Sequence, residues 1–117
     1  MPQSPAECVF CKIYAGEIPG EFLYRDDRCF VIRDINPVAP VHLLVIPVEH
    51  YVHSVDASPE HEAMLGHLML VAQTVAKQEG VYETGYRMAV NQGPNAGQTV
   101  DHLHLHVIGG RRLEHEG

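Results

Sequence analysis

The chain has 117 residues, 45% of them hydrophobic and 20% charged, an ordinary globular composition at the size of one domain, with no tract that suggests disorder. Fifteen acidic side chains against eight Lys and Arg give a formal net charge of −7. The cations are scattered, so a nucleic-acid polymer is excluded as a partner, whereas a single nucleotide held by backbone N–H groups and a few side chains is not. No apolar run approaches the roughly 20 residues of a membrane span, and "MPQSPAECVF" lacks the layout of a secretion signal, so a soluble cytoplasmic protein without a membrane partner is expected.

Residues 1–7 are expected to fray. "CVFCKIYAGEIPG" then reads as a short helical turn ended by Gly16 and Pro19. It holds Cys8 and Cys11; with Cys29 the chain has three cysteines. An odd count does not suit a secreted disulfide framework, and Cys-x-x-Cys looks like half of a metal site. "EFLYRDDRCFVIRDI" predicts a hairpin, Phe22–Arg25 and Arg28–Asp34, turning at Asp26-Asp27. After "NPVAP", the β-branched run "VHLLVIPVEH" predicts a buried strand.

Ser58-Pro59-Glu60 marks a helix start, with Ser at the cap, Pro in the first turn and an acid after it. Met64, Leu65, Leu68, Ala72, Val75 and Ala76 carry the apolar stripe to about Gln78, and Gly80 stops it. "GYRMAVNQ" predicts a strand, "GPNAGQT" a glycine-rich loop, and "HLHLHVIGG" the last strand. About five strands with short connections, one long helix and a short N-terminal helix predict a single antiparallel α+β domain over residues 1–117, not a doubly wound sheet.

In a strand, His102, His104 and His106 share one face and Leu103, Leu105 and Val107 the other. Two histidines at i, i+2 can grip one metal ion, but His102 and His106 stand roughly 13 Å apart along a strand, too far for one zinc to hold all three easily. The preceding loop is not an NTPase phosphate loop: it is one residue short, has Gln98 where Lys is required and leads into a strand. Gly93, Gly97, Gln98 and Thr99 can still aim donors at an oxyanion beside an imidazole. Imidazole is largely neutral near pH 7 and nucleophilic, and it forms a labile phosphorus–nitrogen bond that splits one phosphoryl substitution into two displacements.

"HLHLHVI" resembles the His-φ-His-φ-His-φ-φ motif of the histidine triad (HIT) superfamily. "NQGPNAGQTVDHLHLHVIGGRR", "YRMAVNQG" and the long stretch from Cys8 to His50 are similar to its HINT branch, the histidine triad nucleotide-binding proteins. The resemblance implies a homodimeric α+β fold that binds purine nucleoside monophosphates, AMP or GMP, and hydrolyses phosphoramidate links to them through a nucleotidyl-histidine intermediate. By position, His104 is the nucleophile, and His106 and His42 contact phosphate or orient it. Asp34 holds the ribose hydroxyls, as acids do in dinucleotide sites, and Ile35 lines the base pocket. Asn91, Gly97, Gln98 and Thr99 surround the phosphate and leaving group. His42, which alternates with Leu44 and Ile46, reads on pattern alone as a core histidine.

HIT relatives with an N-terminal Cys-x-x-Cys also imply a structural zinc held by Cys8, Cys11, His50 and His102, a Cys2His2 set with no open position. The covalent route requires no catalytic metal. Three features depart from the family pattern: Asp101 where an aromatic or apolar residue is usual, Thr99 where serine is common, and "GGRRLEHEG" in place of a Trp-Pro-Pro ending. Two alternatives remain at this point, a dinucleoside polyphosphate hydrolase of the Fhit type and a zinc-stabilised binding module with little catalysis.

Overall fold

The computed structural model describes residues 7–51 and 58–114; of the residues expected to fray, 1–7, all but Glu7 lie outside them. The chain runs α1 (Val9–Tyr14), β1 (Tyr24–Arg25), β2 (Cys29–Arg33), β3 (Val41–Pro47), α2 (Glu62–Gln78), β4 (Tyr86–Ala89) and β5 (Leu105–Gly109), with single 3-10 turns at Pro59–His61 and Pro94–Ala96. The strands form one antiparallel sheet in the order β1-β2-β3-β5-β4. This is the expected α+β arrangement, and no helix among the described residues is long and apolar enough to cross a membrane.

Strand alternation divides the core in two. Val31, Leu43, Val45, Leu105 and Val107 turn to one face and pack with Leu68, Val71, Ala72 and Val75 of α2. Phe30, Ile32, Leu44 and Ile46 turn to the other face, where α1 covers them with Cys8 and Phe10. The expected helical stripe is therefore the buried face of α2, with Val71 added to it.

All five strands are shorter than the sequence predicts, β1 and β2 by two residues each. β3 ends at Pro47, the last residue paired with β2; Val48 N still donates to Arg28 O at 2.9 Å, but Arg28 N is committed to Asp26, so the ladder closes there. β4 spans only Tyr86–Ala89. β5 starts at Leu105 because the backbone before it is committed elsewhere: His102 N donates to Val100 O at 2.8 Å and Leu103 N donates to Tyr51 O. Alternation survives this interruption, so Leu103 still joins the α2 side of the core while the rings of His102 and His104 pack edge-on against Phe10 on the other side.

Asp26 ties α2 to the β1–β2 turn. One carboxylate oxygen accepts from Arg28 N at 2.7 Å and Cys29 N at 2.8 Å; the other accepts from Tyr24 Oη at 2.8 Å and His67 Nε2 at 2.6 Å. Burial alone would raise the carboxyl's pKa, but these hydrogen bonds overcome it and hold the group well below the usual carboxylate range. Asp26→Asn should cost about 2 kcal/mol in urea unfolding at pH 7. A carboxyl depressed in the folded state contributes its stability above the unfolded pKa of about 3.9, so the gap between wild type and variant should narrow as pH falls below that value.

Candidate active site and metal centre

Hydrogen bonds to backbone groups, which have fixed polarity, determine which nitrogen of each ring carries its proton. Val38 N donates to His42 Nδ1 at 3.1 Å, so the His42 proton is on Nε2. That N–H faces His106 Nδ1 at 2.9 Å, with the Asp34 carboxylate 3.4 Å away. His106 therefore carries its proton on Nε2, which is buried and has no partner among the described residues. His104 Nδ1 lies 2.7 Å from the His102 carbonyl and must donate to it, leaving the Nε2 lone pair free. Burial lowers the pKa of both His104 and His106, the latter to about 4, so both rings are neutral at pH 7. The pair thus presents a free lone pair beside an unsatisfied N–H donor, their ring centroids 4.9 Å apart.

His104, His106, Thr99, Asp34 and Ile35 open onto one cavity of about 220 Å³, walled by Phe10, Ile32 and Leu44. Ile35 is 92% exposed, a large apolar side chain held in solvent at the cavity rim. Asp34 accepts from Asn36 N at 2.8 Å, which directs its other oxygen towards the histidines. Asn91 lines a second cavity, of about 530 Å³, with His42 and His106.

The glycine-rich loop is a 3-10 turn whose ends, Gly93 at φ +84° and Gly97 at φ +82°, use a backbone region that side chains disfavour. Gln98 closes it, its Oε1 accepting from Gly93 N at 2.7 Å and its Nε2 donating to Val100 O at 3.2 Å. Gly97 is exposed. Of the loop residues singled out in the sequence, only Thr99 lines the cavity with His104. Phe10 was missed as a site residue; its place inside Cys-x-x-Cys was the available signal.

His102 faces away from this pocket. Its Nε2 donates to Pro47 O at 2.8 Å, which turns the Nδ1 lone pair towards Cys8 Sγ at 3.3 Å and Cys11 Sγ at 3.5 Å. His50 Nδ1 approaches Cys11 Sγ at 3.4 Å, and the four ligand atoms lie within 4.8 Å of one another. A tetrahedral zinc with its usual bond lengths separates sulfur from nitrogen by about 3.6 Å, so the donor set fits a closed structural site. Burial and the neighbouring Cys8 push the Cys11 thiol up to about 11; a bound cation would replace that proton.

The antiparallel sheet, its α2 backing and the three histidines with preset tautomers define a histidine triad domain. A family model for the HIT domain matches residues 15–113. An uncharacterized HIT-like protein of Synechococcus elongatus is 50% identical over 107 residues, 92% of this chain and 93% of the relative. A HIT family hydrolase from Clostridium thermocellum is 43% identical, with a TM-score of 0.90 over 93% of this chain and 95% of its own. A Zn-bound histidine triad family protein from Mycobacterium smegmatis is 37% identical, with a TM-score of 0.77 over 92% of this chain and 78% of its own. The chain belongs to the HIT family.

Proposed function

We propose that this protein is a nucleotide-binding hydrolase of the HINT branch that cleaves purine nucleoside 5′-phosphoramidates to the nucleoside monophosphate, AMP or GMP, and an amine. The observation that carries the reading is the 2.7 Å hydrogen bond from His104 Nδ1 to the His102 carbonyl, which leaves Nε2 as a neutral, oriented nucleophile. His104 Nε2 attacks the α-phosphorus. The phosphorus–nitrogen bond to the leaving group breaks and a phosphorus–Nε2 bond forms. The leaving nitrogen takes its proton from water and departs as the neutral amine, while His106 Nε2–H donates to a phosphoryl oxygen and His42 Nε2–H, beside Asp34, holds His106 in place by donating to its Nδ1. Water then displaces His104 and releases the monophosphate.

Asp34 offers its remaining lone pairs to the ribose hydroxyls, and Ile35, Phe10 and Leu44 enclose the base. Thr99 meets the phosphate from the cavity wall, Gln98 closes the loop that carries it by accepting from Gly93 N, and Asn91 stands on the leaving-group side. The Clostridium thermocellum relative, described as a hydrolase, supports hydrolysis. The zinc-bound Mycobacterium smegmatis relative supports zinc at Cys8, Cys11, His50 and His102. Zinc there has no open position and pins α1 to the residues behind the pocket. The free edge of β4 and the outer face of α2, where Leu70 is 65% exposed, suit a homodimer.

The deciding experiment compares adenosine 5′-phosphoramidate with a diadenosine polyphosphate. The phosphoramidate should be turned over with a kcat/KM at least about 100-fold higher, a difference of about 2.7 kcal/mol in transition-state stabilisation. The reverse order would favour the Fhit-type alternative, and turnover of neither would favour a binding module.

A further inference from the structure

Beyond the nucleotide pocket, the sheet face that carries the histidines continues to an arginine. His42 pairs with Ile108 and Ile108 with Arg87, while Leu44 pairs with His106 and His106 with Ala89. Directly opposed residues project to the same face, so His42, His106 and Arg87 share one surface. At about 4.8 Å between strands, the Arg87 backbone stands two strands, or about 10 Å, from that of His42. The cavity of about 530 Å³ joins Arg87 to His42 and His106, with Val38, Met88 and Val90 as apolar walls. Arg87 also borders a third cavity, of about 370 Å³, together with Arg111 and Arg112. His106 borders both the first and the second cavity, so the three spaces form a sequence running from the base pocket past the reacting histidines to the arginines.

This corner inverts the charge of the molecule. The chain carries −7 overall with eight Lys and Arg in all, yet Arg87, Arg111 and Arg112 converge here and, among the described residues, no carboxylate lines either of the two cavities. Two of the guanidiniums are held by neutral acceptors. Arg87 donates to the Glu114 carbonyl at 2.6 Å, and Arg111 to the carbonyls of Val38 at 2.8 Å and Arg112 at 3.0 Å. Among the described residues the one arginine bridged to a carboxylate is Arg33, to Glu79 at 2.8 Å. Backbone carbonyls orient a guanidinium without neutralising it, so the corner keeps its positive charge for an anion.

We infer that the amine released by this enzyme carries an anionic group, a carboxylate or a phosphate, which docks against Arg87, Arg111 and Arg112 while the apolar walls hold the intervening carbons. The inference rests on the phosphoramidate reading above and names the class of leaving group for that site.

The test uses two matched pairs of adenosine 5′-phosphoramidates. In one pair the leaving amine is 3-aminopropanoate or its neutral amide; in the other it is 2-aminoethyl phosphate or 2-aminoethanol. For at least one pair the charged member should show a kcat/KM about fivefold higher in wild type, the size expected for a solvent-accessible ion pair, and the preference should shrink as salt is raised. Which pair responds identifies carboxylate or phosphate. Dividing each preference by that of Arg112→Gln cancels the intrinsic reactivity of the amines. Arg112→Gln should reduce the preference, Arg112→Glu should abolish or reverse it, and Arg112→Lys should retain most of it, with thermal unfolding confirming that each variant is folded. Equal rates within both pairs, or a preference that survives Arg112→Glu, would overturn the inference and leave the phosphoramidase reading intact. Absence of turnover for all four compounds and for unsubstituted adenosine phosphoramidate would overturn both.

Discussion

His104→Gly should lower turnover of adenosine phosphoramidate by at least about 10⁴-fold, the scale of losing a nucleophile in a covalent mechanism. AMP should still bind within about threefold of wild type by calorimetry, because Asp34, Thr99 and the apolar walls remain. The two readouts separate a chemical role from a packing role. A histidine that merely filled space against Phe10, 5.2 Å away between ring centroids, would weaken binding and stability together and spare the chemical step. Rapid quench of the wild-type enzyme followed by mass spectrometry should find AMP attached to His104, and the adduct should be absent from the variant. Full activity in His104→Gly would end the covalent mechanism.

Stripping metal should produce the largest stability effect. Protein purified without chelator should contain about one zinc per chain by elemental analysis, and removing it should lower the melting temperature by about 10 °C or more. That corresponds to a loss of about 3 kcal/mol for a domain of this size, a modest share of what structural zinc sites contribute. Cys11→Ser should act in the same direction. The geometry explains why the loss extends beyond the metal: Cys8 precedes α1, Phe10 lies between the two cysteines and walls the cavity onto which His104 opens, and the His102 carbonyl holds the His104 ring. A catalytic metal predicts a different pattern, with chelation stopping turnover while the melting temperature stays in place. Zinc-free protein that melts like the untreated sample would remove the site.

The β–α order, the apolar stripe of α2 and the face-sharing of the histidine row were legible because they depend on local periodicity, which sequence spacing carries directly. The division of that row was less accessible. Strand spacing argued only that one zinc could not easily hold all three rings, and the separation of His102 from His104 and His106 was implied by family resemblance. Strand ends were also overextended at all five strands, since a backbone N–H captured by Asp26 at the close of one ladder and a backbone turn at the start of another outweigh β propensity.

The sequence by itself determined which chemistry this protein can attempt: neutral imidazoles on one face, a Cys-x-x-Cys able to pair with distant histidines, an acidic surface and no basic stripe. Only the tertiary structure decided which nitrogen of each ring is free. The partners that decide it, the Val38 N–H and the Pro47 and His102 carbonyls, are backbone groups that every sequence possesses, so their identity is invisible until the chain brings them into place. The arginine corner has the same origin: Arg87 and the pair Arg111 and Arg112 stand more than twenty positions apart in the chain, and the β4–β5 pairing makes them neighbours.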